Sequence, residues 1–338
     1  MAAVLLLTPG TKASLVSERL RVQPPETEGG EAPACTDIPL VNVDHVLLGE
    51  HAALTTPALA ELLRREIPVL VLSGGLHLLG LCVPPPMMTA VRVAQFRRAE
   101  DPDFVRDISA ALVSAKVLNQ RRVLQRLAAN RTDVNVGDAL SLLDQLAVRA
   151  ERVAPGAADQ LRGIEGAAAR QYFDVLQGFF PPHVVMHGRN RQPPRDPPNA
   201  VLSYAYTVMT GEMTCYLYAA GLDPAVGCYH DPADRRASLA LDLIEPFRAP
   251  VADALALDLF SHGQLDPAGH FEEREGGVFM NLAGRKKFHL AYERRMERPF
   301  KRSREEEHTS LRREMQAQAV GVKMAIGENR SFQPFRMA

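Results

Sequence analysis

Four ionisable side chains between residues 165 and 245 of the 338-residue sequence are of the types that bind divalent cations. Glu165 lies in GIEGAAARQYF, His230 ends GLDPAVGCYH, and Asp242 and Glu245 lie in SLALDLIEPFRAP. Carboxylate oxygens with one imidazole nitrogen suit Mg²⁺ or Mn²⁺, and the nitrogen favours Mn²⁺. Such a set would leave coordination positions for water and a phosphate oxygen, although the spacing of these residues matches no short metal-binding motif.

Each of these residues also has a purely structural interpretation. Glu165 precedes a run of small residues, so it is either a surface charge on a helix or a carboxylate that a ligand can approach closely. His230 follows a helix that is predicted to end at Gly221, and a histidine after such a turn often serves packing. Asp242 and Glu245 share one helix face at a spacing where like charges repel unless a cation compensates. The residues alone leave these alternatives open.

The second part of the chain is predicted to be helical. From about Asp101 onward, apolar residues recur with the period of a helix that packs on one face. The predicted helices cover residues 104–127, 136–149, 157–179, 200–220, 236–259 and 304–324. Residues 187–199, HGRNRQPPRDPPN, are too rich in proline for a helix and are predicted to form a loop. This pattern indicates an all-α domain of long helices.

The first hundred residues are predicted to form short strands. Runs rich in Val, Ile and Leu, most of them bounded by Gly, Pro or Asp, occur at Val4–Leu7, Leu40–Val43, Val46–Leu48, Val69–Leu72 and Val91–Phe96. A helix is predicted at 55–65, where a threonine cap precedes Pro57, and an exposed loop is predicted at 23–34. We therefore predict an α+β fold, with a small N-terminal β-strand domain at residues 1–96, a linker at 97–104 and a larger all-α catalytic domain at 105–338.

Composition and charge are those of an ordinary soluble globular protein. Hydrophobic residues make up 46% and charged residues 23%, and the formal net charge is −1. Because the net charge is so small, a global basic field is excluded and any contact with nucleic acid must come from a local patch. Residues 281–338 hold 14 Lys and Arg against seven Asp and Glu, whereas residues 1–60 hold three against seven. The sequence therefore predicts a basic C-terminal tail.

Cysteine usage and hydropathy indicate the compartment. Cys35, Cys82, Cys215 and Cys228 are scattered and form no C-x-x-C pair, so neither a disulfide framework nor a zinc or iron–sulfur site is expected. The opening MAAVLLLTPG lacks a charged n-region. The most apolar later stretch, residues 67–83, is broken by glycines and a histidine. We expect a cytoplasmic protein without a membrane span.

Several strings, taken in order, resemble the CRISPR-associated integrase family, the universal spacer-acquisition (adaptation) subunit. They are GIEGAAARQYF, NAVLSYAY, GLDPAVGCYH and SLALDLIEPFRAP, with AKVLNQ upstream and LGEHAALTTPAL in the β-rich half. The similarity covers about residues 39–248, with a weaker match at 329–335. The resemblance is weaker in the 23–34 loop and beyond residue 250.

The resemblance implies a metal-dependent DNA integrase that joins prespacer 3′-hydroxyl ends into the repeat array by phosphodiester strand transfer. It implies that Glu165, His230 and Glu245 hold Mg²⁺ or Mn²⁺ and that Asp242 is the nearby acidic catalytic residue. Two alternatives share these residues. One is a metal-dependent endonuclease of branched DNA, and the other is a non-catalytic DNA-binding subunit in which the carboxylates are structural.

Candidate DNA contacts come partly from matched motif positions and partly from local basic charge. They are Asn199, Tyr204, Arg189, Arg191, Arg236, Arg248, Lys286 and Lys287. Asn199 is equally well interpreted as the cap of the helix that follows it. Tyr204 belongs to a set of tyrosines at helical spacing, and such residues either stack on a base or pack in the core.

The resemblance also implies partners. Double-stranded prespacer and repeat DNA would be the substrates, and the β domain would form a homodimer. The basic C-terminal tail would dock a small ferredoxin-like dimeric partner subunit. Some relatives carry a fused iron–sulfur exonuclease, or use one as a partner, but this chain has no cysteine cluster with which to bind such a cofactor itself.

Overall fold

The chain forms two compact units, Met1–Thr89 and Ala90–Ala338. The computed structural model describes residues 2–25, 34–73, 78–84, 89–190, 193–231, 236–301, 307–328 and 330–338. Arg191 and most of the predicted 23–34 loop lie outside these ranges. An N-terminal β unit followed by a larger helical unit confirms the predicted α+β fold class.

In the part of the first unit that the structure describes, there are two four-stranded sheets and one α-helix. Its strands are β1 (Ala2–Leu6), β2 (Lys12–Val16), β3 (Arg19–Gln23), β4 (Thr36–Pro39), β5 (Val43–Gly49), β6 (Ala53–Leu54), β7 (Val69–Leu72) and β8 (Leu78–Cys82). The sheet orders are β1-β5-β7-β8, in which β8 alone runs antiparallel to its neighbour, and β4-β3-β2-β6. Leu20, Val46 and Leu62 are fully buried in the core of this unit.

Local sequence signals located several elements of this unit correctly. Helix α1 (Thr56–Arg64) begins after Thr55 and carries proline in its first turn, as predicted. The predicted strand at 69–72 is confirmed as β7. The predicted strand at 40–43 is wrong, because Leu40–Asn42 is a 3-10 turn and the strand begins at Val43.

The predicted strand at 91–96 is also wrong. These residues belong to helix α2 (Thr89–Ala99), whose Gln95 is buried and donates to the backbone oxygens of Asp223 and Val226. The alternating apolar residues of this segment suggested a strand, but Val93 and Phe96 are largely exposed. The predicted 97–104 linker is likewise mostly helical, because α3 begins at Pro102 after an Asp101 cap. The division between the units accordingly falls at the start of α2, between Thr89 and Ala90.

The second unit is built mainly of helices. After α2 they are α3 (Pro102–Ala128), α4 (Gly137–Glu151), α5 (Ala158–Leu176), α6 (Pro197–Ala219), α7 (Ser238–Ile244), α8 (Ala254–Ser261), α9 (Leu282–Glu297) and α10 (Leu311–Glu328). The all-α prediction is wrong in one respect, because β9 (Phe271–Arg274) and β10 (Gly277–Met280) form an antiparallel pair. Helix α9 was not predicted, and α10 begins seven residues later than the predicted 304–324 helix.

One predicted long helix, 236–259, is divided into four segments. Between α7 and α8 the chain forms a 3-10 turn at Glu245–Phe247 and a π-helical turn at Arg248–Asp253. Pro246 and Pro250 lack the backbone N–H that a regular helix would use, so the hydrogen-bonding register changes here. The change of register begins at Glu245, directly after α7.

Within the ranges that the structure describes, no helix has both the length and the apolar character that crossing a bilayer requires.

Candidate active site

Two of the predicted ligands lie on opposite sides of one lysine. Glu165 is on α5, which buries Ile164 and Ala168 and leaves the carboxylate at the edge of the packed face. Lys116, on the neighbouring α3, is buried, and its Nζ donates a short hydrogen bond to Glu165 Oε1. The same Nζ lies 2.6 Å from Glu245 Oε2. The two carboxylates, 80 positions apart in sequence, therefore converge on one cation.

The other oxygen of Glu245 faces two further positive or polar groups. Arg248 Nη2 lies 2.9 Å from Glu245 Oε1, and His230 Nε2 lies 3.8 Å from the same atom. Burial alone would raise the pKa of the Glu245 carboxyl, but the opposing pull of Arg248, Lys116 and His230 lowers it to about 2. Glu245 is therefore ionised although it is almost completely buried.

Asp242 lies behind His230 and orients it. Its carboxylate accepts hydrogen bonds from the backbone N–H groups of Cys228, Tyr229 and His230 at 2.6, 3.0 and 2.8 Å. It also lies 2.7 Å from His230 Nδ1. Because Nδ1 faces a carboxylate, the geometry leaves Nε2 directed toward Glu245. The Asp242 side chain is fully buried, so in this arrangement it positions the histidine and does not line the open cleft.

The turn that carries His230 has no room for a side chain at Gly227. A Cβ there would lie 2.8 Å from Ser238 Cβ and 2.9 Å from both Asp242 Oδ2 and His230 O. Close packing thus holds the turn against the start of α7, and the Asp242 hydrogen bonds add to that packing.

Glu165, His230 and Glu245 line one open cleft of about 290 Å³, together with Arg162, Tyr229, Asp231 and Arg236. The sequence placed the first three residues in one site, and the fold brings them together. Arg162 and Asp231 form an exposed ion pair at 3.4 Å at the same cleft. A Cβ added at Gly163 or Gly166 would meet no atom within 4 Å, so the small residues around Glu165 border open space.

Carboxylate oxygens and an imidazole nitrogen suit a hard cation, and the Lys116 ammonium lies where the two carboxylates would hold such a cation. Two carboxylates already share one positive charge, with an imidazole nitrogen beside the second carboxylate. With Lys116 in that place, no group of three His, Cys, Asp or Glu side chains in the described ranges is spaced to hold a metal ion. The residues therefore suit Mg²⁺ or Mn²⁺ by type and charge, and the spacing of the donors is set by the lysine.

The chain matches the family model described as CRISPR associated protein Cas1 over residues 4–294. The chain belongs to the Cas1 family. The resemblance drawn from the motif strings is thereby confirmed, since the matched region contains every string outside the tail.

Individual Cas1 relatives agree. The chain is 37% identical over 295 residues to a CRISPR-associated exonuclease Cas4/endonuclease Cas1 fusion from Geobacter sulfurreducens, which covers 84% of this chain and 50% of the fusion. It thus spans about half the length of the fusion relatives that it matches. It is 37% identical over 273 residues to the CRISPR-associated endonuclease Cas1 1 of Thermus thermophilus, covering 80% of each chain.

Among solved structures, the fold is similar to that of a casposase bound to integration product. The TM-score is 0.83 at 21% sequence identity, and the match covers 98% of this chain and 93% of the casposase. At this level of identity the likeness concerns the fold alone.

Two features of this Cas1-family site were not found from the sequence. Lys116 was recognised only as part of the AKVLNQ string, and nothing in its spacing showed that it would meet Glu165. The second feature is the packing of the segment 330–338, which the sequence showed only as the weaker match at 329–335. Its Phe335 ring stacks on Phe247 at 4.8 Å. Asn119, also in AKVLNQ, donates to the backbone oxygens of Pro246 and Phe335 and so ties this segment to the turn that carries Glu245.

Several candidate DNA contacts occupy structural positions. Asn199 does not cap α6, because Asp196 is the cap and accepts from the Asn199 backbone N–H at 2.9 Å. The Asn199 side chain instead holds the preceding loop by accepting from Arg189 Nη1 at 2.8 Å and donating to Gly188 O. Tyr204 packs edge-on against Phe288 and bonds to the His289 ring.

The remaining candidates are placed differently. Arg236 lines the cleft that holds the three predicted ligands. Arg189 and Arg248 both lie over the Tyr206 ring and line a second cleft, which Glu165 also borders. Lys286 and Lys287 are exposed on α9. Arg191 lies outside the described residues.

Proposed function

We propose that this Cas1-family chain is a divalent-metal-dependent DNA integrase of CRISPR adaptation. It joins prespacer 3′-hydroxyl ends into the repeat array by phosphodiester strand transfer. The observation that carries the proposal is the convergence of Glu165 and Glu245 on a single cation, with His230 beside them, in a cleft open to solvent. The family membership supports the same reaction class.

The reaction itself needs no nucleotide hydrolysis, because one phosphodiester bond replaces another. Its barrier arises from driving an oxygen nucleophile onto an anionic phosphate group. A bound Mg²⁺ or Mn²⁺ supplies charge stabilisation and favours the ionised form of the attacking hydroxyl.

The residues divide into ligands and a positioning group. Glu165 and Glu245 would hold the ion through carboxylate oxygens, and His230 would hold it through Nε2, since its Nδ1 faces Asp242. Asp242 fixes the imidazole and its turn through four short contacts. This assigns Asp242 the role of positioning His230.

DNA is held by local positive charge. Arg162 and Arg236 border the cleft and are exposed, so they are placed to contact phosphates near the reacting bond. Lys286 and Lys287 add an exposed pair on α9 for more distant phosphates. These contacts are expected to supply most of the affinity, whereas the metal ligands supply the chemistry.

We further propose that the chain works in a larger assembly. Its N-terminal unit would form the homodimer, and a small ferredoxin-like adaptation subunit would bridge two dimers. The fusion relatives join an exonuclease Cas4 to endonuclease Cas1, which supports a functional link to an iron–sulfur exonuclease.

A joining assay tests the proposal directly. The chain and its partner subunit are given DNA with free 3′-hydroxyl ends and a supercoiled repeat plasmid, with Mn²⁺ or Mg²⁺. Glu165→Gln should abolish joined products, while Asp159→Asn, on the same helix with a fully exposed side chain, should leave them unchanged.

Three outcomes would contradict the proposal. Nicked plasmid without joined products would favour a hydrolytic endonuclease of branched DNA. Joining at the normal rate by Glu165→Gln would show that this carboxylate is not needed for catalysis, which would favour the alternative of a DNA-binding subunit with structural carboxylates. Joining in the presence of excess chelator would exclude the metal.

A further inference from the structure

Lys116 is a buried cation in the place where the proposed function requires a metal ion. Its side chain is 6% exposed, and its ion pairs within the described residues are with Glu165 and Glu245. Burying a lysine is costly unless its charge is paired, so this position has a specific electrostatic role. The role is not explained by packing, since an apolar side chain would fill the same volume.

The Lys116 ammonium contacts one oxygen of each of the two carboxylates. Glu165 uses Oε1 and Glu245 uses Oε2, whereas Glu245 Oε1 faces Arg248 and His230. A divalent cation that both carboxylates share must therefore compete with Lys116 for their oxygens. Two positive charges cannot remain in contact with the same pair of carboxylates without strong repulsion.

The fold offers the displaced ammonium somewhere to go. Lys116 lines a second cleft of about 350 Å³, which shares Glu165 with the cleft that holds His230. Asp174 is exposed at this second cleft and offers a carboxylate there, whereas Asp253 is buried and accepts from Tyr206. The lining also includes three arginines, which leave Asp174 as the partner for the ammonium: Arg170, Arg189 and Arg248. A lysine side chain has enough rotatable bonds to turn into such a space while α3 stays in place.

We propose that Lys116 is a positioning residue that holds Glu165 and Glu245 together in the metal-free chain and is displaced from them by the divalent cation. The lysine prevents the two carboxylates from repelling each other before the ion arrives. This inference rests on the proposed function, because it presumes that a divalent cation binds at these two carboxylates.

The first test measures Mn²⁺ affinity by calorimetry, without DNA and at about pH 8 so that protons compete little with the metal. Lys116→Met should bind Mn²⁺ about tenfold more tightly than the unmodified chain, because a competing unit charge has been removed. Its metal-free melting temperature should fall, and the rise in melting temperature on adding Mn²⁺ should be larger. Arg121→Met removes one charge from the same helix, where Arg121 pairs with Asp144, and should leave the Mn²⁺ affinity unchanged.

The second test observes the ammonium itself and does not depend on a variant that may be less stable. In chain labelled with ¹⁵N-lysine, the Lys116 ammonium resonance is assigned by its loss in Lys116→Arg. Titration with diamagnetic Mg²⁺ should shift or broaden that resonance at the same metal concentrations that saturate the site. A resonance that stays unchanged while Mg²⁺ binds would overturn the proposal.

The outcomes separate this inference from the proposed function. If Glu165→Gln loses Mn²⁺ binding but Lys116→Met binds with unchanged affinity, the metal site stands and the role of Lys116 is refuted. If neither the unmodified chain nor Lys116→Met binds Mn²⁺, the metal-dependent function is itself refuted, and the inference falls with it.

Discussion

Replacing Asp242 with asparagine should destabilise the turn that carries His230. The carboxylate accepts three backbone N–H groups and contacts the histidine ring, and it is completely buried. Asparagine has nearly the same shape, so the substitution changes hydrogen bonding and charge while leaving the packing volume almost unchanged. The effect therefore isolates the electrostatic contribution of Asp242.

The magnitude follows from the contacts. Oδ2 accepts from Cys228 and Tyr229, and Oδ1 accepts from His230 N and faces His230 Nδ1. In either orientation, the amide NH₂ group of asparagine points at donors that previously met an acceptor. Two charge-assisted hydrogen bonds at about 1.5–3 kcal/mol each give a loss of about 3–6 kcal/mol. A domain of ordinary stability would remain folded only marginally, or would lose the turn locally.

The measurement is urea unfolding followed by far-ultraviolet circular dichroism, because the chain has no Trp to report by fluorescence and the second unit is mainly helical. Asp231→Asn is the matched control. Asp231 is close to His230 in sequence, but its side chain is 80% exposed and its ion pair with Arg162 is 3.4 Å long. Such a pair contributes about 0–1 kcal/mol, so the control should unfold almost as the unmodified chain does.

The reasoning would be refuted by a small effect. If Asp242→Asn lowers the free energy of unfolding by no more than the control does, the backbone amides of this turn do not depend on the carboxylate. DNA joining should fall along with stability, since the imidazole is no longer oriented. Full joining by a destabilised variant would show that His230 does not need Asp242 for its alignment.

Two further predictions concern charge elsewhere in the second unit. Burial raises the pKa of the Asp253 carboxyl to about 6, against the lowering effect of its hydrogen bond from Tyr206, so the folded chain binds this proton more tightly than the unfolded chain. The protonated Asp253 carboxyl contributes to stability fully at pH values below its pKa in the unfolded chain, and this contribution is lost as the pH rises through about 6. As the pH rises from about 4 to about 8, the free energy of unfolding of Asp253→Asn, measured with urea, should increase relative to that of the unmodified chain by up to about 3 kcal/mol. A difference that does not change with pH would contradict the argument from the buried charge. Reversing the charges of Lys286 and Lys287 should weaken DNA binding and reduce the slope of log K against log salt by about 2, as read by fluorescence anisotropy. The double reversal of Arg149 and Arg152, at the C-terminal end of α4, gives the same change in net charge. An equal effect there would mean that total charge, and not the α9 pair, holds the DNA.

The sequence indicated that two neighbouring acidic residues need a compensating positive charge, but it did not show which residues supply that charge. Asp242 and Glu245 stand three residues apart, and their spacing indicated repulsion unless a positive group compensated. The structure separates them, since Asp242 contacts Nδ1 of His230 while Glu245 lies near Nε2 of the same ring. The compensating charges are Arg248, which is local, and Lys116, which is more than a hundred residues away in sequence.

Local patterns were sufficient for most helices and for the identity of the candidate ligands. Helix α5 follows from apolar residues at helical spacing, and α1 follows from a threonine and a proline, because these signals act within one or two turns. Local patterns gave the wrong element at 91–96, where alternating apolar residues indicated a strand. The segment is helical there, and the buried Gln95 donates to the backbone of a turn that is distant in sequence.

Glu165, His230 and Glu245 were identified by the motif strings that contain them, so the sequence by itself determined which residues form the candidate site and what chemistry they suit. Only the tertiary structure decided how they are arranged. The packing of α3 on α5 brings Lys116 to Glu165. The 3-10 turn after α7 carries Glu245 to the same lysine, and Phe335 packs against Phe247 of that turn. These contacts join segments far apart in the chain, and ion pairs of this kind leave no periodic or spacing signal, because their energy depends on distance in space and not on separation in sequence.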